Sequence, residues 1–321
     1  MEMAVAAQSV NLGMSTVMTH RAFGKYAEES LKAVCYEAVR LEELLSRFIP
    51  GSEISRVNRS AGIKCEKLSD DTYEVLSGAI EFSRYCQGIF DVTIGPLVTL
   101  WDNGKDTFKP PEESSIRQIL PLVDYTDLIL DPCEKTAGLQ RIGQFIDLGG
   151  IGKGFAGDKF LEVFKKYGVS SAYTNIGGNV VALGMKPDGS PWHVGIQHPR
   201  QGNSLIGLVS VADKAVVTSG DYQRYFISSD GKRYHHILDP STGYPAESGL
   251  VSVTVVADSS TATDALSTIL FVAGMKRGLE LLRQFSGAEA ILVDIGLRVH
   301  VTAGLKECFQ AVEGISVNIL N

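Results

Sequence analysis

Residues 173–184 read YTNIGGNVVALG: a short β-branched run, a pair of glycines, and a second such run. The pattern recurs on both sides. Upstream lies GQFIDLGG (143–150). Downstream follow WHVGIQ (192–197), LIGLVSVAD (205–213), AVVTSG (215–220), RYFISSDGKRYHHILD (224–239), LVSVTVVA (250–257) and AILVDI (290–295). Short runs of this composition between glycine-rich turns read as strands. The segment around Ser229-Asp230-Gly231 reads as a hairpin turn. Two helices interrupt the strands. One starts near Lys153 (KGFAGDKFLEVFKKYG) and stops at Gly168, a natural C-cap; the other starts after Ser259 or Ser260 (TATDALSTILFVAG). Strands outnumber helices and most are hairpin-connected. The expected fold class is therefore α+β, a mainly antiparallel sheet core with flanking helices.

The first half is more mixed. Residues 26–47 carry Leu31, Val34, Ala38, Leu41 and Leu45 at helical spacing, which predicts an amphipathic helix. A second helix is expected over 70–86, with Ser69 or Asp70 as N-cap. Between them PGSEISRVNRSAG (50–62) reads as a polar loop. Residues 1–13 are expected to be a mobile N-terminal tail and 14–321 a single domain.

The 321 residues are 44% hydrophobic and 21% charged, an ordinary balance for a soluble globular protein. A net charge of -7 argues against nucleic acid or an anionic membrane as partner, since either favours a basic face. No apolar run approaches the roughly 18 residues of a membrane helix. The N-terminal MEMAVAAQSVNLGMS has neither a basic segment nor a continuous apolar stretch. A cytoplasmic protein is expected from this, the alternative being an exported one whose leader has been removed. Cys35, Cys65, Cys86, Cys133 and Cys308 are scattered, odd in number and form no CxxC pair, as expected of reduced thiols.

Four segments carry candidate chemistry. In QFIDLGGIGKGFAGD (144–158) a strand is expected to end at Asp147, and Gly149, Gly150, Gly152 and Gly154 surround a helix start. Glycine permits close backbone approach, a helix N-terminus favours anions, and Lys153 adds a cation, so the segment suits a diphosphate. A tight strand-to-helix turn would explain the glycines equally well. The spacing is neither a Rossmann fingerprint nor a P-loop. In the late helix Asp264 and Thr268 stand at i and i+4 on one face with Ser267 adjacent, hard oxygens of the kind Mg2+ takes. A polar helix face in water is the plain alternative.

The third segment carries His235 and His236 into a turn built by Pro240, Gly243 and Pro245. Strand alternation puts the two rings on opposite faces, so at most one serves a given site as base or phosphate partner. The remaining histidines read as structural or surface residues. The fourth segment, Cys86 to Trp101, joins aromatics, small residues and Asp91 in an expected loop, fitting a planar ring ligand or plain core packing.

Taken in order these segments resemble the ApbE family of flavin transferases. The resemblance rests on Met14-Ser-Thr16, Ser46-Arg-Phe48, Ser52-Glu-Ile-Ser-Arg-Val-Asn58 and Gly88-Ile-Phe-Asp91-Val-Thr-Ile-Gly95-Pro. It continues through Asp147-Leu-Gly-Gly-Ile-Gly-Lys153-Gly, Asn175-Ile-Gly-Gly178-Asn, Val217-Thr-Ser219-Gly220, His236-Ile-Leu-Asp239-Pro-Ser-Thr-Gly243 and Asp264-Ala-Leu-Ser-Thr268. The family's first motif usually reads Met-Gly-Thr, and it often has Tyr where this chain has Phe48.

The resemblance implies FAD as substrate, held by Met14, Phe48, Ile89, Phe90, Asp91, Asp147, Lys153 and the backbone near Leu238. It implies Mg2+ at Asp264, Ser267 and Thr268 with the Gly150 carbonyl, and His236 rather than His235 as the histidine of the site. The implied reaction is transfer of FMN onto a Thr or Ser hydroxyl of an acceptor flavoprotein with release of AMP, catalysed with His236 and Asp264. The alternatives are a metal-dependent FAD pyrophosphatase, in which water replaces the acceptor, and a flavin-binding protein without turnover.

Overall fold

The computed structural model describes residues 6–105, 109–229 and 231–320. The chain begins with a hairpin of β1 (Ala6–Gly13) and β2 (Thr16–Phe23), then helices α1 (Ala27–Leu45) and α2 (Glu53–Arg59). An excursion follows through β3 (Glu66–Lys67), α3 (Asp70–Tyr85), α4 (Gly95–Lys105), α5 (Glu113–Ile119), β4 (Leu128–Asp131) and β5 (Thr136–Leu139). Helix α6 (Gly152–Lys166) leads into β6 (Ser171–Ile176), β7 (Asn179–Leu183), β8 (Trp192–Gln197), β9 (Leu205–Val211) and β10 (Ala215–Gly220). The small hairpin β11 (Tyr225–Ile227) and β12 (Arg233–His235) precedes β13 (Leu250–Ala257) and helix α7 (Ser260–Leu282). The last elements are β14 (Glu289–Asp294), β15 (Val299–Thr302), β16 (Phe309–Ala311) and β17 (Val317–Leu320).

The fold is α+β around a nine-stranded sheet of order β1-β2-β6-β7-β10-β13-β14-β15-β17. Every neighbouring pair is antiparallel except β15 and β17. Helices α1, α6 and α7 cover one face. The three-stranded sheet β16-β9-β8 covers part of the other, packing Trp192, Ile206 and Val209 on Val216, Val256 and Val293. Strand β13 lies between these layers and is buried at every residue, which explains the unbroken apolar run LVSVTVVA. A third cluster joins Leu97 and Trp101 of α4, Ile116 of α5, Phe226 of β11 and Leu238.

The predicted helices form with their expected ends. Ser69 caps α3, Ser259 caps α7, and Gly168 stands at φ +69 after α6. Helix α7 kinks at Gly274, where φ is 74°.

Several expectations need correction. Of the expected tail over 1–13, residues 1–5 lie outside the described residues, and residues 6–13 are strand β1, paired in continuous register with β2 from Ala6↔Phe23 to Gly13↔Thr16. Their alternation is inverted: Val10 and Leu12 are exposed, while Asn11 faces inward and its Oδ1 meets His20 Nε2 at 2.9 Å. Thr174 Oγ1 lies 2.7 Å from the other ring nitrogen of His20, and burial lowers the pKa of this imidazole to about 4. The expected loop at 50–62 contains α2, because Ser52 caps it through Ser55 N–H and Ile54 and Val57 are buried. The expected loop at 86–101 turns helical from Gly95. GQFIDLGG joins no ladder beyond an isolated bridge between Ile94 and Phe145. Its backbone is satisfied instead by Asn58, whose side chain bonds both Ile146 N and O, and by Val92 O, which accepts from Asp147 N.

Two carboxylates lock α6 against α7. Asp158 on α6 accepts from Ser260 N (2.7 Å) and Thr261 N (2.9 Å) at the start of α7, and from the hydroxyls of Ser259 and Thr261. Asp264 on α7 accepts in return from Gly154 N at 2.8 Å at the start of α6. Each helix thus caps the other's unsatisfied N–H groups. The crossing needs glycine. A Cβ on Gly154 would lie 2.3 Å from Ser260 O, and one on Gly157 2.6 Å from Ser260 Oγ. Gly154, expected to clear space for a ligand, therefore clears space for a helix. Gly154→Ala should destabilise the protein by about 1–3 kcal/mol through overpacking. Gly152→Ala, whose Cβ would meet nothing nearer than Leu148 Cβ at 3.5 Å, should shift stability by no more than about 0.5 kcal/mol. Urea unfolding of the two variants checks this, and equal losses would count against the crossing as described.

Candidate active site

The mutual capping brings the first turns of α6 and α7 together. The Asp264 carboxylate is nearly fully buried. Its Oδ2 is taken by Gly154 N, whereas Oδ1 has Lys153 Nζ at 3.9 Å and no hydrogen-bond donor among the described residues. One turn on, Thr268 Oγ1 lies 3.4 Å from Ser219 Oγ at the end of β10. Ser267 Oγ donates to Asp264 O at 2.9 Å and meets Ser219 Oγ at 2.8 Å. Gly150 closes the group: a Cβ there would stand 2.9 Å from the Phe90 ring and 3.4 Å from Thr268 Oγ1. The absence of that side chain leaves a cradle over the threonine hydroxyl. One free carboxylate oxygen, neutral hydroxyls and adjacent backbone form a hard donor set, which fits Mg2+. Among the described residues no cluster of three or more His, Cys, Asp or Glu exists, so a metal here would rely on hydroxyl, carbonyl, water or substrate oxygens.

The glycine loop is organised by Asp147. Its Oδ1 accepts from Gly149 N at 2.7 Å, and its Oδ2 lies 2.6 Å from Arg47 Nε. At the start of α6 beyond it, Gly152 N is taken by Leu148 O and Gly154 N by Asp264, which leaves the backbone N–H and ammonium of Lys153 as the anion-favouring groups.

The two histidines separate as alternation predicts. His235 is spent on structure: Nε2 donates to Ala246 O at 3.1 Å, Nδ1 accepts from Ile237 N at 3.3 Å, and the ring packs edge-on to Phe271. His236 has one committed nitrogen, Nδ1, 3.1 Å from Arg224 O. A carbonyl can only accept, so Nδ1 carries the hydrogen of the neutral ring and Nε2 keeps its lone pair. Burial, followed by the nearby Arg224 charge, lowers the pKa of His236 to about 3, and Lys153 contributes to the same effect. The ring lies in a cleft between α4 and the β11–β12 hairpin, with Val98, Trp101, Arg224, Tyr234 and Leu238 around it.

The remaining expected residues divide. Phe48 is 69% exposed with its ring on Arg47. Phe90 is buried against Gly150, Ile89 is half-buried beside it, and Leu238 is buried in the α4 cluster. Met14 and Ser15 occupy the β1–β2 turn at φ 50° and 59°, and Glu42 accepts from Met14 N. Two consecutive left-handed residues explain why glycine suits position 15. Asp91 offers no free acceptor: its oxygens take Thr93 N, Thr93 Oγ1 and Tyr125 N, and burial raises its pKa. It builds the loop that carries Phe90. Arg47, Ser219 and Arg224 also stand at the candidate site, against Asp147, Thr268 and His236 respectively, and each lies in or beside a motif quoted above.

The ApbE family model matches residues 14–292. The chain is 33% identical over 312 residues to an FAD:protein FMN transferase of Treponema pallidum, covering 92% of this chain and 86% of that protein. It is 35% identical over 268 residues to one of Klebsiella pneumoniae, covering 83% of each. Among solved structures, the ApbE protein of Thermotoga maritima superposes with a TM-score of 0.87 at 29% identity, covering 95% of this chain and 99% of that one. The flavin transferase ApbE of Vibrio cholerae superposes with a TM-score of 0.85 at 25% identity, with the same coverage.

A histidine whose folded pKa is lowered stays neutral until the pH falls below that value. The His236 ring resonances should therefore show no titration between pH 8 and pH 5 in NMR spectra. An inflection near the ordinary pKa of 6.5 would contradict the assigned environment.

Proposed function

The chain belongs to the ApbE family and is an FAD:protein FMN transferase, and we propose that it works by Mg2+-dependent substitution at the FMN-side phosphorus of FAD, with a Thr or Ser hydroxyl of an acceptor flavoprotein as nucleophile. The observation that carries this reading is the convergence of Asp264 Oδ1, Thr268 Oγ1, the Gly150 cradle, Lys153 and the α6 N-terminus at one point. Fixed cationic and N–H groups around free hard oxygens suit a diphosphate and its counter-ion. Asp264, Thr268, Ser267 and the Gly150 carbonyl would hold Mg2+. Bound there, the ion supplies neutralisation of charge on the phosphate oxygens.

The chain's own residues account for the rest. Lys153, through its ammonium and its backbone N–H, orients the diphosphate. Met14, Phe48, Ile89 and the backbone near Leu238 supply surface for the ring systems, while Phe90 packs beneath Gly150 and Asp91 acts indirectly by shaping the loop that carries it. Asp147 holds the glycine loop through Gly149 N. His236 Nε2 accepts the proton of the acceptor hydroxyl. The hydroxyl oxygen forms a bond to the FMN phosphorus, the bond from that phosphorus to the bridging oxygen breaks, and the bridging oxygen departs with AMP. The Arg224 carbonyl at Nδ1 leaves the Nε2 lone pair free for this proton, and the negative charge of a bound diphosphate would raise the basicity that burial lowers.

Two variants test the roles. His236→Asn should lower transfer by about 100-fold or more with FAD affinity retained. Asp264→Asn should abolish the metal-dependent rate while leaving much of the FAD affinity. Mass spectrometry of a candidate acceptor incubated with FAD and Mg2+ reads the added FMN. Undiminished transfer in EDTA would overturn the metal assignment, and AMP release without acceptor at the full rate would mark hydrolysis instead.

A further inference from the structure

A large aromatic ring that is mostly exposed yet held in place is unusual, because its ordering and exposure both cost free energy. Phe48 is such a ring. Its backbone is tied down by serines: Phe48 N donates to Ser46 Oγ, Ser52 Oγ and Ser55 Oγ both donate to Ser46 O, and Ser55 Oγ reaches Arg47 O at 3.1 Å. One ring face lies on the Arg47 guanidinium, whose carbon stands 4.3 Å from the ring centroid. Arg47 is itself largely buried, at 14% side-chain exposure. It holds Asp147 at 2.6 Å, Thr99 Oγ1 at 3.2 Å and Asp102 at 3.6 Å, and it neighbours the Phe145 ring. A single planar cation therefore joins three walls of the site: the segment after α1, helix α4 and the glycine loop.

We propose that Arg47 is a positioning residue for the flavin, its guanidinium fixing the Phe48 ring as a stacking platform at a set distance from the Asp147 glycine loop. The proposal rests on the reading of Phe48 as a ring-stacking position. One face of the phenyl is occupied by the cation and the other is left for a planar ring system. The same guanidinium neutralises the Asp147 oxygen that Gly149 N does not reach. Ring site and diphosphate site thus share one support, which sets their separation. A lysine would keep the charge toward Asp147 but lose the flat face and the forked geometry.

The test is a double-mutant cycle on FAD binding, read by quenching of flavin fluorescence. Arg47→Met should weaken FAD by about five- to tenfold, the scale of a cation–π contact that is partly desolvated, and should reduce the limiting quench. Arg47→Lys should share the loss of quench. In the Phe48→Leu background, Arg47→Met should cost clearly less than in the parent, because only its support of Asp147 is then left to lose. An equal effect of Arg47→Met in both backgrounds, or parent-like quenching in Arg47→Lys, would overturn the assignment even if transfer activity persists. An unchanged affinity in Phe48→Leu alone would remove the platform itself, and Arg47's role with it, while leaving the metal and proton roles untouched.

Discussion

The structure depends on a reciprocal contact. Asp158 of α6 closes the N-terminus of α7, and Asp264 of α7 closes the N-terminus of α6. Each carboxylate meets N–H groups that would otherwise be buried unpaired, and each lies near the positive end of the other helix. The two helix starts are thereby brought side by side, with the Lys153 ammonium 3.9 Å from Asp264 Oδ1. Asp264 spends one oxygen on this lock and keeps the other free, so in the proposed site holding the fold together and presenting a metal ligand would be two halves of one carboxyl group. The small side chains of the crossing follow from it. Gly154 and Gly157 are demanded by helix packing, whereas Gly150 opens the space over Thr268.

Much of this was legible in the sequence. Glycine-punctuated β-branched runs pointed to the antiparallel sheet, and cap residues Ser69 and Ser259 marked helix starts. The i, i+4 spacing placed Asp264 and Thr268 together, and alternation separated His235 from His236. What escaped reading depended on tertiary partners. Strand β1 turns Asn11 inward and leaves Val10 and Leu12 exposed, because Asn11 has a buried histidine to bond. The segment before Asp147 looks like a strand but pairs with an asparagine side chain. Asp91 has the composition of a ligand contact, yet its oxygens are consumed by Thr93 and Tyr125. Arg47 stood in a quoted motif beside the more conspicuous Phe48, and nothing local announces that its guanidinium reaches three other segments.

The layers also explain where chemistry can occur. With helices over one face of the sheet and a second sheet over part of the other, β13 is sealed along its whole length. Reactive groups are therefore confined to edges and ends: the last residues of β10, the first turns of α6 and α7, and the loop after β12. The cluster of Leu97, Trp101, Ile116, Phe226 and Leu238 forms a small second core that holds α4 and the β11–β12 hairpin as walls of the cleft. Trp101 Nε1 donates to Gly243 O at 2.8 Å and so ties the turn after His236 to that core.

The carbonyl of Arg224 that orients His236 bears on proton traffic. In a dyad with a carboxylate, the imidazolium formed during reaction is shielded by an adjacent negative charge. Here the partner is a neutral oxygen, and the nearby charges on Arg224 and Lys153 are positive. In the proposed reaction a proton accepted at Nε2 would be held weakly and handed on to solvent or to a departing phosphate. In that reaction the ring would be a relay for one proton and not a reservoir, returning to the neutral tautomer that the Arg224 carbonyl sets.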